Sequence, residues 1–349
     1  MFSVYLAILA LSPAVPQQTV LPLGKDEWVA SLAWHPDGKR VYWATQDRLA
    51  EWPSGRTVSL PKGDNEYQVV REPSSLRFSP NGGRLLAYGP YTEVLYLIDL
   101  KSFRLAKIVG DCQDAWWEGH ELGRIRHVIK DEAWTDHQYV QIGSRKRALL
   151  KGWRFSSADA SGRVLLAKST SGYEGPIALF SLDPSSLTVR RVRLHRGPFY
   201  VEYTERDYLA WEPRLRAAAI AMTTDTGATM SRLWISLGRT ITLKPEADLN
   251  FLEGRPQWAG GKLIAVIREA VRGASEDNGE IYRVTRIDPR SLKSDVIIER
   301  RARWTTEMTK LAGSTIEHAA VSPGGKRIAW IEQLDDKQVL HVDALDTRR

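Results

Sequence analysis

Three stretches of the chain carry the same turn signal between two runs of alternating apolar residues. They read WHPDGKRVYW at 34–43, FSPNGGRLLAY at 78–88 and VSPGGKRIAW at 321–330. Proline presets φ at the first central position of a tight turn, and Asn, Asp or Gly tolerates the positive φ that must follow. Two alternating runs joined by such a turn form an antiparallel hairpin. The sequence therefore predicts the same hairpin near both ends of the chain.

Weaker copies of this signal fill the middle of the sequence. They are DAWWEGHELGRIRHVI (114–129), which is the poorest, WRFSSADASGRVLLAKS (153–169), YLAWEPRLRAAAIAM (208–222) and RPQWAGGKLIAVI (255–267). The residues that anchor the seven copies are Trp34, Phe78, Trp116, Phe155, Trp211, Trp258 and Val321. A repeat of roughly 40–50 residues with several strands per unit is typical of the blades of a β-propeller.

Two further strand-like runs follow each hairpin, which makes four antiparallel strands per unit. The third strand ends at an Asp that can start an Asx turn, namely Asp99, Asp183, Asp288 and Asp343. The last unit has only three strands of its own. The segment QQTVLPL at 17–23 can supply the fourth and leave no bare edge.

These patterns predict an all-β chain that forms a single β-propeller of four-stranded blades. We count seven blades, and six or eight remain alternatives because the third copy is poor. The predicted blades span approximately 28–60, 70–110, 111–151, 153–196, 205–246, 254–301 and 314–346, and strand 17–23 closes the ring within a domain of residues 15–349.

The start of the chain indicates export. Residues 1–24 carry no charged side chain, and the apolar stretch from Phe2 to Leu11 is shorter than the ~20 residues of a membrane-spanning helix. Ser12 and Ala14 fit the small-residue rule for signal cleavage, although no Lys or Arg precedes the stretch. We predict a signal peptide at residues 1–14 and a periplasmic or secreted protein without a membrane span; a buried N-terminal strand is the alternative.

Charge and cysteine content exclude several classes of protein. The chain has 49 Lys and Arg against 42 Asp and Glu, a net charge of +7. The densest basic runs, 144–154 and 189–196, do not make the clustered footprint of a nucleic-acid-binding protein, so we expect no nucleic-acid partner. Cys112 is the only cysteine, so an internal disulfide is impossible.

The repeats resemble those of TolB-type, or WD-like, β-propellers built from Pro-Asp-Gly turns. The stretches at 34–43, 78–88 and 321–330 carry the resemblance, which extends over most of residues 28–346. The Trp-Asp end of true WD repeats is absent, which argues against the intracellular WD class. The resemblance implies an exported scaffold that binds other proteins.

Motifs of common enzymes are missing. The sequence contains no G-x-S-x-G elbow, P-loop, H-E-x-x-H, C-x-x-C or G-x-G-x-x-G. His120, His127 and His137 lie close together in the sequence, and a metal-dependent lyase or a lectin-like protein using the Trp116–His137 region is the alternative function. Because the spacing of these histidines matches no ligand rule, we favour a protein that is not an enzyme and that needs no metal or cofactor.

The segments between blades, and between second and third strands, are rich in aromatic and acidic residues. In a propeller these segments share one face around the channel. We predict that this face binds a protein or peptide partner of a monomeric protein, since such residues favour recognition. Ordinary polar loops and a purely structural member of an envelope complex remain alternatives. The candidate ligand-binding residues are Glu66, Tyr67, Tyr91, Glu93, Trp116, Trp134, Asp136, Tyr173, Tyr200, Glu202 and Glu307.

Overall fold

A computed structural model describes the greater part of the chain as β-strands and turns. The described residues are 17–24, 27–61, 75–88, 94–110, 112–130, 135–149, 153–158, 164–169, 175–191, 200–201, 209–212, 217–225, 229–236, 240–242, 250–271, 279–304, 311–335 and 337–345. They contain 29 strands and no helix. No helix capable of crossing a membrane is present among them.

The strands have the following bounds. The first ten are β1 (Gln17–Val20), β2 (Ser31–Trp34), β3 (Val41–Ala44), β4 (Arg48–Trp52), β5 (Thr57–Ser59), β6 (Ser75–Phe78), β7 (Arg84–Tyr88), β8 (Leu95–Asp99), β9 (Arg104–Val109) and β10 (Cys112–Glu118). The next ten are β11 (Glu121–Lys130), β12 (Thr135–Ile142), β13 (Arg145–Leu149), β14 (Trp153–Ala158), β15 (Val164–Ser169), β16 (Gly175–Asp183), β17 (Thr188–Arg191), β18 (Tyr200–Val201), β19 (Leu209–Glu212) and β20 (Ala217–Asp225). The last nine are β21 (Thr229–Ser236), β22 (Thr240–Thr242), β23 (Asn250–Ala259), β24 (Lys262–Val271), β25 (Gly279–Ile287), β26 (Ser294–Trp304), β27 (Leu311–Val321), β28 (Arg327–Leu334) and β29 (Lys337–Ala344).

These strands pair into antiparallel sheets that follow the order of the chain. Four sheets have four strands each, namely β2–β5, β6–β9, β10–β13 and β19–β22, and β14–β17 form another in which the short β18 pairs with β16. The remaining strands form one sheet of eight in the order β1-β29-β28-β27-β26-β25-β24-β23. Its halves, β23–β26 and β27–β29 with β1, are joined by three residue pairs at Ala302–Trp304. No sheet among the described strands closes on itself.

The three clear turn signals fold as predicted. Each repeat forms a hairpin, β2–β3, β6–β7 or β27–β28. The glycine after the first two turn residues has nearly the same positive φ each time, 67° at Gly38, 68° at Gly82 and 66° at Gly325. Only glycine adopts that conformation without steric cost, which explains why the turns require it.

The poorest repeat also forms a hairpin. The pairing of β10 with β11 ends at Glu118 and Glu121, which flank the turn, and Gly119 within the turn has a φ of 58°. A single glycine with positive φ therefore makes this turn, without the proline of the clear repeats. This hairpin begins the sheet β10–β13, which has four strands, as β2–β5 and β6–β9 do.

A second repeated turn joins the third and fourth strands. It reads DLKSF at 99–103, DPSSL at 183–187 and DPRSL at 288–292. The Asp99 carboxylate accepts a hydrogen bond of 2.8 Å from the backbone N–H of Ser102, and the other two Asp residues cap their turns in the same way. The last residue of each turn has a φ of 52° to 59°. Phe103 and Leu187 tolerate this conformation while their side chains are buried in the core.

The fourth predicted Asx turn, at Asp343, would extend into residues 346–349, which lie outside the described residues. The carboxylate of Asp343 accepts a hydrogen bond of 2.8 Å from the indole N–H of Trp330. On the other side of β29, β1 pairs antiparallel with it from Gln17–Val342 to Val20–Val339.

The first strands of the successive units contact one another in order. Strand β2 contacts β6, β6 contacts β10, β10 contacts β14, β14 contacts β19, β19 contacts β23, β23 contacts β27, and β27 contacts β2. The core lies between the faces of neighbouring sheets. One apolar cluster, for example, joins Trp34 and Trp43 with Ile331 and Leu340 from the far end of the chain.

The hairpin turns of neighbouring sheets meet at one edge, which we call the turn edge. The imidazole Nε2 of His35 lies 2.9 Å from the carbonyl oxygen of Gly82, and Gly325 approaches the backbone of Gly260. We call the opposite edge, where the first strands begin and where β28 turns into β29, the loop edge.

Candidate functional site

Most of the residues predicted to bind a ligand lie outside the described residues. These are Glu66, Tyr67, Tyr91, Glu93, Trp134, Tyr173, Glu202 and Glu307. Two others occupy described backbone positions near the loop edge. Asp136 in β12 pairs with Ile129, and Tyr200 in β18 pairs with Pro176. The prediction for these residues stays a prediction.

Trp116 lies in the core. Its side chain is 1% exposed and packs in a cluster with Ile125 and Val140. The register of β10 and β11 places it opposite Gly123, where a Cβ atom would lie only 2.3 Å from the indole ring. Glycine at that position leaves the space that the ring fills, so the observed role of Trp116 is packing.

The three histidines of the alternative function occupy different parts of their sheet. His120 is exposed in the turn between β10 and β11, at the turn edge. His127 lies farther along β11, about 20 Å away at the rise of an extended strand. His137 in β12 pairs with Val128 and not with His127. In the described part of the chain, no three His, Cys, Asp or Glu residues form a group that could hold a metal ion.

Three large apolar side chains are exposed at the loop edge beside strands β27–β29. Trp28 is 47% exposed, Trp304 38% and Leu334 45%. Trp304 ends β26 and pairs with Leu311 at the start of β27, and Leu334 ends β28. Side chains of this size are the usual anchors of protein interfaces.

The segment that carries Trp28 is fixed to β27 and β29. The backbone N–H of Val29 donates a hydrogen bond of 2.9 Å to the side-chain oxygen of Gln338. On the other side, Nε2 of His318 lies 2.8 Å from the carbonyl oxygen of Val29. These contacts hold the backbone next to Trp28, although the indole itself is open to solvent.

An ionised carboxylate lies next to Trp28. Glu27 accepts hydrogen bonds of 2.7 Å from the Gly24 N–H, the Thr45 hydroxyl and the Arg48 guanidinium. Burial acts to raise the pKa of this carboxyl group, but the three hydrogen bonds and the charge of Arg48 outweigh it and lower the pKa. Because Arg48 balances the charge of Glu27, this carboxylate anchors the backbone before Trp28 and leaves the indole as the exposed group.

A buried ion pair supports the same edge between the halves of the eight-stranded sheet. The Glu332 carboxylate accepts a hydrogen bond of 2.6 Å from Nε of Arg300 and another from the hydroxyl of Ser314. His341 lies 2.5 Å from the same carboxylate and stacks on Trp330 at 3.9 Å between ring centroids. Because Arg300 also lies 4.7 Å above the Trp330 ring, this cluster joins the outer strand β26 to β28 and β29.

The Glu332 cluster holds its carboxylate in the ionised form. Burial acts to raise the pKa of Glu332, yet the hydrogen bonds from Ser314 and Arg300 lower it below its ordinary value. Burial also lowers the pKa of His341, against the opposing charge of Glu332. The hydroxyl of Ser314 serves here as a hydrogen-bond donor to the carboxylate.

A second acidic group on β25 extends the cluster. The hydroxyl of Tyr282 donates a hydrogen bond of 2.5 Å to the buried Glu280 carboxylate, and Arg268 lies 3.7 Å from the same oxygen. Burial and the charge of Glu280 raise the pKa of Tyr282, so its hydroxyl stays a donor. Sequence reasoning missed both acids, because no local pattern shows that Glu280 and Glu332 are buried.

No protein-family model matches the sequence, and no curated protein matches it. Solved structures do match the fold over almost the whole chain. Hydrazine synthase of Kuenenia stuttgartiensis matches at 13% identity with a TM-score of 0.52, covering 94% of this chain and 98% of its own. The Swd1 β-propeller domain of Myceliophteria thermophila matches at 10% identity with a TM-score of 0.54, covering 93% and 99%.

A third solved structure also matches the fold of the chain. The β-propeller domain of the trilobed protease from Pyrococcus furiosus, which has an open velcro topology, is 8% identical with a TM-score of 0.52, and the match covers 92% of this chain and 95% of that one. The chain has a β-propeller fold. Identities this low show the fold alone, so the activities of these propellers are not transferred, and the TolB-type resemblance stays a prediction.

Proposed function

We propose that the chain is an exported β-propeller of seven four-stranded blades that binds a protein or peptide partner through its loop edge and is not an enzyme. The contacts of the seven first strands, with β27 returning to β2, support the ring and the blade count. The pairing of β1 with β29 supports closure by the N-terminal strand. Under this proposal β1 is the outermost strand of the seventh blade.

The observation that carries the binding proposal is the exposure of Trp28 and Trp304 on either side of β27–β29. Both are at the loop edge, which is where the sequence concentrates its acidic and aromatic residues. Exposed tryptophans on a backbone fixed by hydrogen bonds lose little entropy when they bind. The acids that the sequence concentrates in the loop segments favour a basic segment in the partner.

A basic, aliphatic peptide segment is the partner that fits this chemistry. Its side chains would pack on the two indole rings and its cations would face the acids of the loop edge. The candidate acids, from the sequence, are Glu66, Glu93, Glu202 and Glu307.

Binding to a library of basic peptides, followed by fluorescence anisotropy, tests the proposal. We expect Trp28→Ala with Trp304→Ala, and separately charge reversal of Glu66, Glu93, Glu202 and Glu307, to weaken binding by at least about tenfold. Two matched controls lie away from the loop edge. Val296→Ala removes an exposed apolar group near the turn edge, and Glu121→Lys with Asp295→Lys reverses exposed charges there.

The outcome separates a binding edge from an ordinary surface. Weaker peptide binding by the loop-edge variants, with unchanged binding by the two controls, supports the proposal. Equal binding of the peptides by all variants would overturn it. So would thermal melts in which divalent metals with acidic oligosaccharides stabilise the protein and peptides do not.

Export is tested by the N-terminal sequence of the protein made in its own cell. The proposal expects cleavage after Ala14, so that the mature chain begins at Val15. A chain that retains Met1 would contradict it, while leaving the binding proposal standing.

A further inference from the structure

The outermost strands of three neighbouring sheets carry only positive charge. Strands β9, β13 and β17 contain seven Lys and Arg and no Asp or Glu. Each is the last strand of its sheet. We call these three strands the basic rim.

The three sheets lie side by side. Strand β10 contacts both β6 and β14. Nη1 of Arg147 donates a hydrogen bond of 2.7 Å to the carbonyl oxygen of Leu187, and Nη1 of Arg145 donates one of 2.5 Å to that of Pro184. These two arginines tie β13 to the turn before β17, so the charges of β13 and β17 lie next to each other.

Four cations of the rim form no ion pair with another residue in the described part of the chain. Arg104 and Lys107 on β9, and Arg190 and Arg191 on β17, are exposed. Exposed cations on the outermost strands of neighbouring sheets attract an anion that carries several charges along its length.

Protection of exposed sheet edges does not explain why Lys and Arg are concentrated on these three strands. Lysine and arginine on an edge strand do hinder edge-to-edge pairing of sheets. However, the outermost strands β1 and β5 carry no charged residue, and β26 mixes its arginines with Asp295 and Glu299. The charge is therefore particular to β9, β13 and β17.

The chemistry of the rim favours a polymer held by charge over a nucleic acid or a membrane. Single-stranded nucleic acids are held by aromatic stacking as well as by cations. The rim offers no exposed aromatic ring among the described residues, and Tyr139 on the adjoining β12 lies beneath Lys146, 4.3 Å from its Nζ. Ile108 is the one large apolar side chain exposed on these strands, which is too little to insert into lipid.

We propose that the basic rim binds a linear acidic polysaccharide through its carboxylate or sulfate groups. The cations contact the charged groups, and the outer backbone edges of β9, β13 and β17, which pair with no other described strand, offer donors and acceptors to the sugar hydroxyls. The rim is separate from the loop edge, so this proposal does not depend on the partner proposed there.

Binding of heparin and of polygalacturonate, measured by calorimetry, tests the proposal. We expect Arg104→Glu, Lys107→Glu, Arg190→Glu and Arg191→Glu together to weaken binding by at least ~100-fold at low salt, since four phosphate-like contacts are lost. The same four residues changed to Gln should give a smaller loss, and thermal melts confirm that both variants fold. The matched control reverses four exposed cations elsewhere: Arg290, Lys293, Lys326 and Lys337.

Each outcome decides the question. Weaker polysaccharide binding by the rim variants, with the affinity of the control variant within ~3-fold of that of the unaltered protein, supports the site. Equal loss in rim and control variants would show attraction to net charge alone and overturn it. Tighter binding to single-stranded DNA of matched charge, or to vesicles of anionic lipid, would overturn the choice of a polysaccharide.

Discussion

The indole N–H of Trp34 donates a hydrogen bond of 2.9 Å to the carbonyl oxygen of Ala320, which lies 286 residues later in the chain. Trp34 ends the first strand of the first complete sheet, and Ala320 lies in the first strand of the last. This bond joins the two ends of the repeat series. His318 and Gln338 reinforce the same junction through Val29.

Truncation of Trp34 tests how much this junction stabilises the fold. The side chain is 6% exposed, so Trp34→Ala should lower the free energy of unfolding by about 3–5 kcal/mol. Trp34→Phe should cost about 1–3 kcal/mol, because the carbonyl of Ala320 loses its donor. Urea unfolding measures both values. Trp28→Phe at the exposed position is the control, and a cost for Trp34→Phe no larger than the control's would contradict the assigned role.

A pair of glycines isolates the contact between two neighbouring turns. Gly38 and Gly82 have the same φ, 67° and 68°, so alanine is strained equally at both. A Cβ at Gly82 would lie 2.5 Å from Nε2 of His35, whereas a Cβ at Gly38 meets nothing within 4 Å. Gly82→Ala should therefore destabilise the protein by about 1–3 kcal/mol more than Gly38→Ala.

The double variant gives the check on that comparison. In a His35→Ala background the clash is gone, so the excess cost of Gly82→Ala over Gly38→Ala should disappear. Thermal or urea unfolding of the double variants measures it. An excess that persists without His35 would show that backbone strain alone separates the two glycines.

The buried carboxylate of Glu51 predicts the acid stability of the first sheet. Its side chain is 3% exposed, and burial acts to raise its pKa. Hydrogen bonds from Arg56, Ser54 and Tyr42 outweigh burial and lower the pKa to about 2. Because the folded pKa lies below the unfolded value of 4.5, the stabilisation is complete above pH 4.5 and is lost as the pH falls towards 2.

Unfolding free energies measured from pH 2 to 7 test this prediction. We expect Glu51→Gln to be less stable by about 2 kcal/mol at neutral pH and to approach the unaltered protein near pH 2, because the amide does not titrate. A constant difference between the two proteins over this range would contradict the role given to the ionised carboxylate.

The hairpins were predictable because their signals are local. Proline and glycine at Pro36 and Gly38 specify a turn whatever surrounds them, and Asp99, Asp183 and Asp288 cap turns within four residues of themselves. Asp343 was predicted to start a similar turn, but most residues of that turn lie outside the described part of the chain. Its carboxylate accepts a hydrogen bond from the indole of Trp330 on the paired strand, a contact that no local pattern shows.

The site residues depend on contacts that no local pattern shows. Trp116 looked available for binding, yet Gly123 on the paired strand leaves room for its ring in the core. The ion pair of Arg300 and Glu332 joins residues 32 apart on different strands. Trp28 lay outside the segments predicted for the binding face. Its place at the loop edge depends on the hydrogen bonds that the neighbouring Val29 forms with β27 and β29.

Photo-crosslinking from the two edges tests the central claim most directly. A photoreactive phenylalanine analogue is placed at positions 28 and 304 on the loop edge, or at 293 and 326 on the turn edge, and the full-length protein is irradiated in its own cells. The account predicts a discrete protein adduct from positions 28 and 304, identified by mass spectrometry, and none from 293 or 326. Adducts from the turn edge alone, or none from either edge, would contradict it.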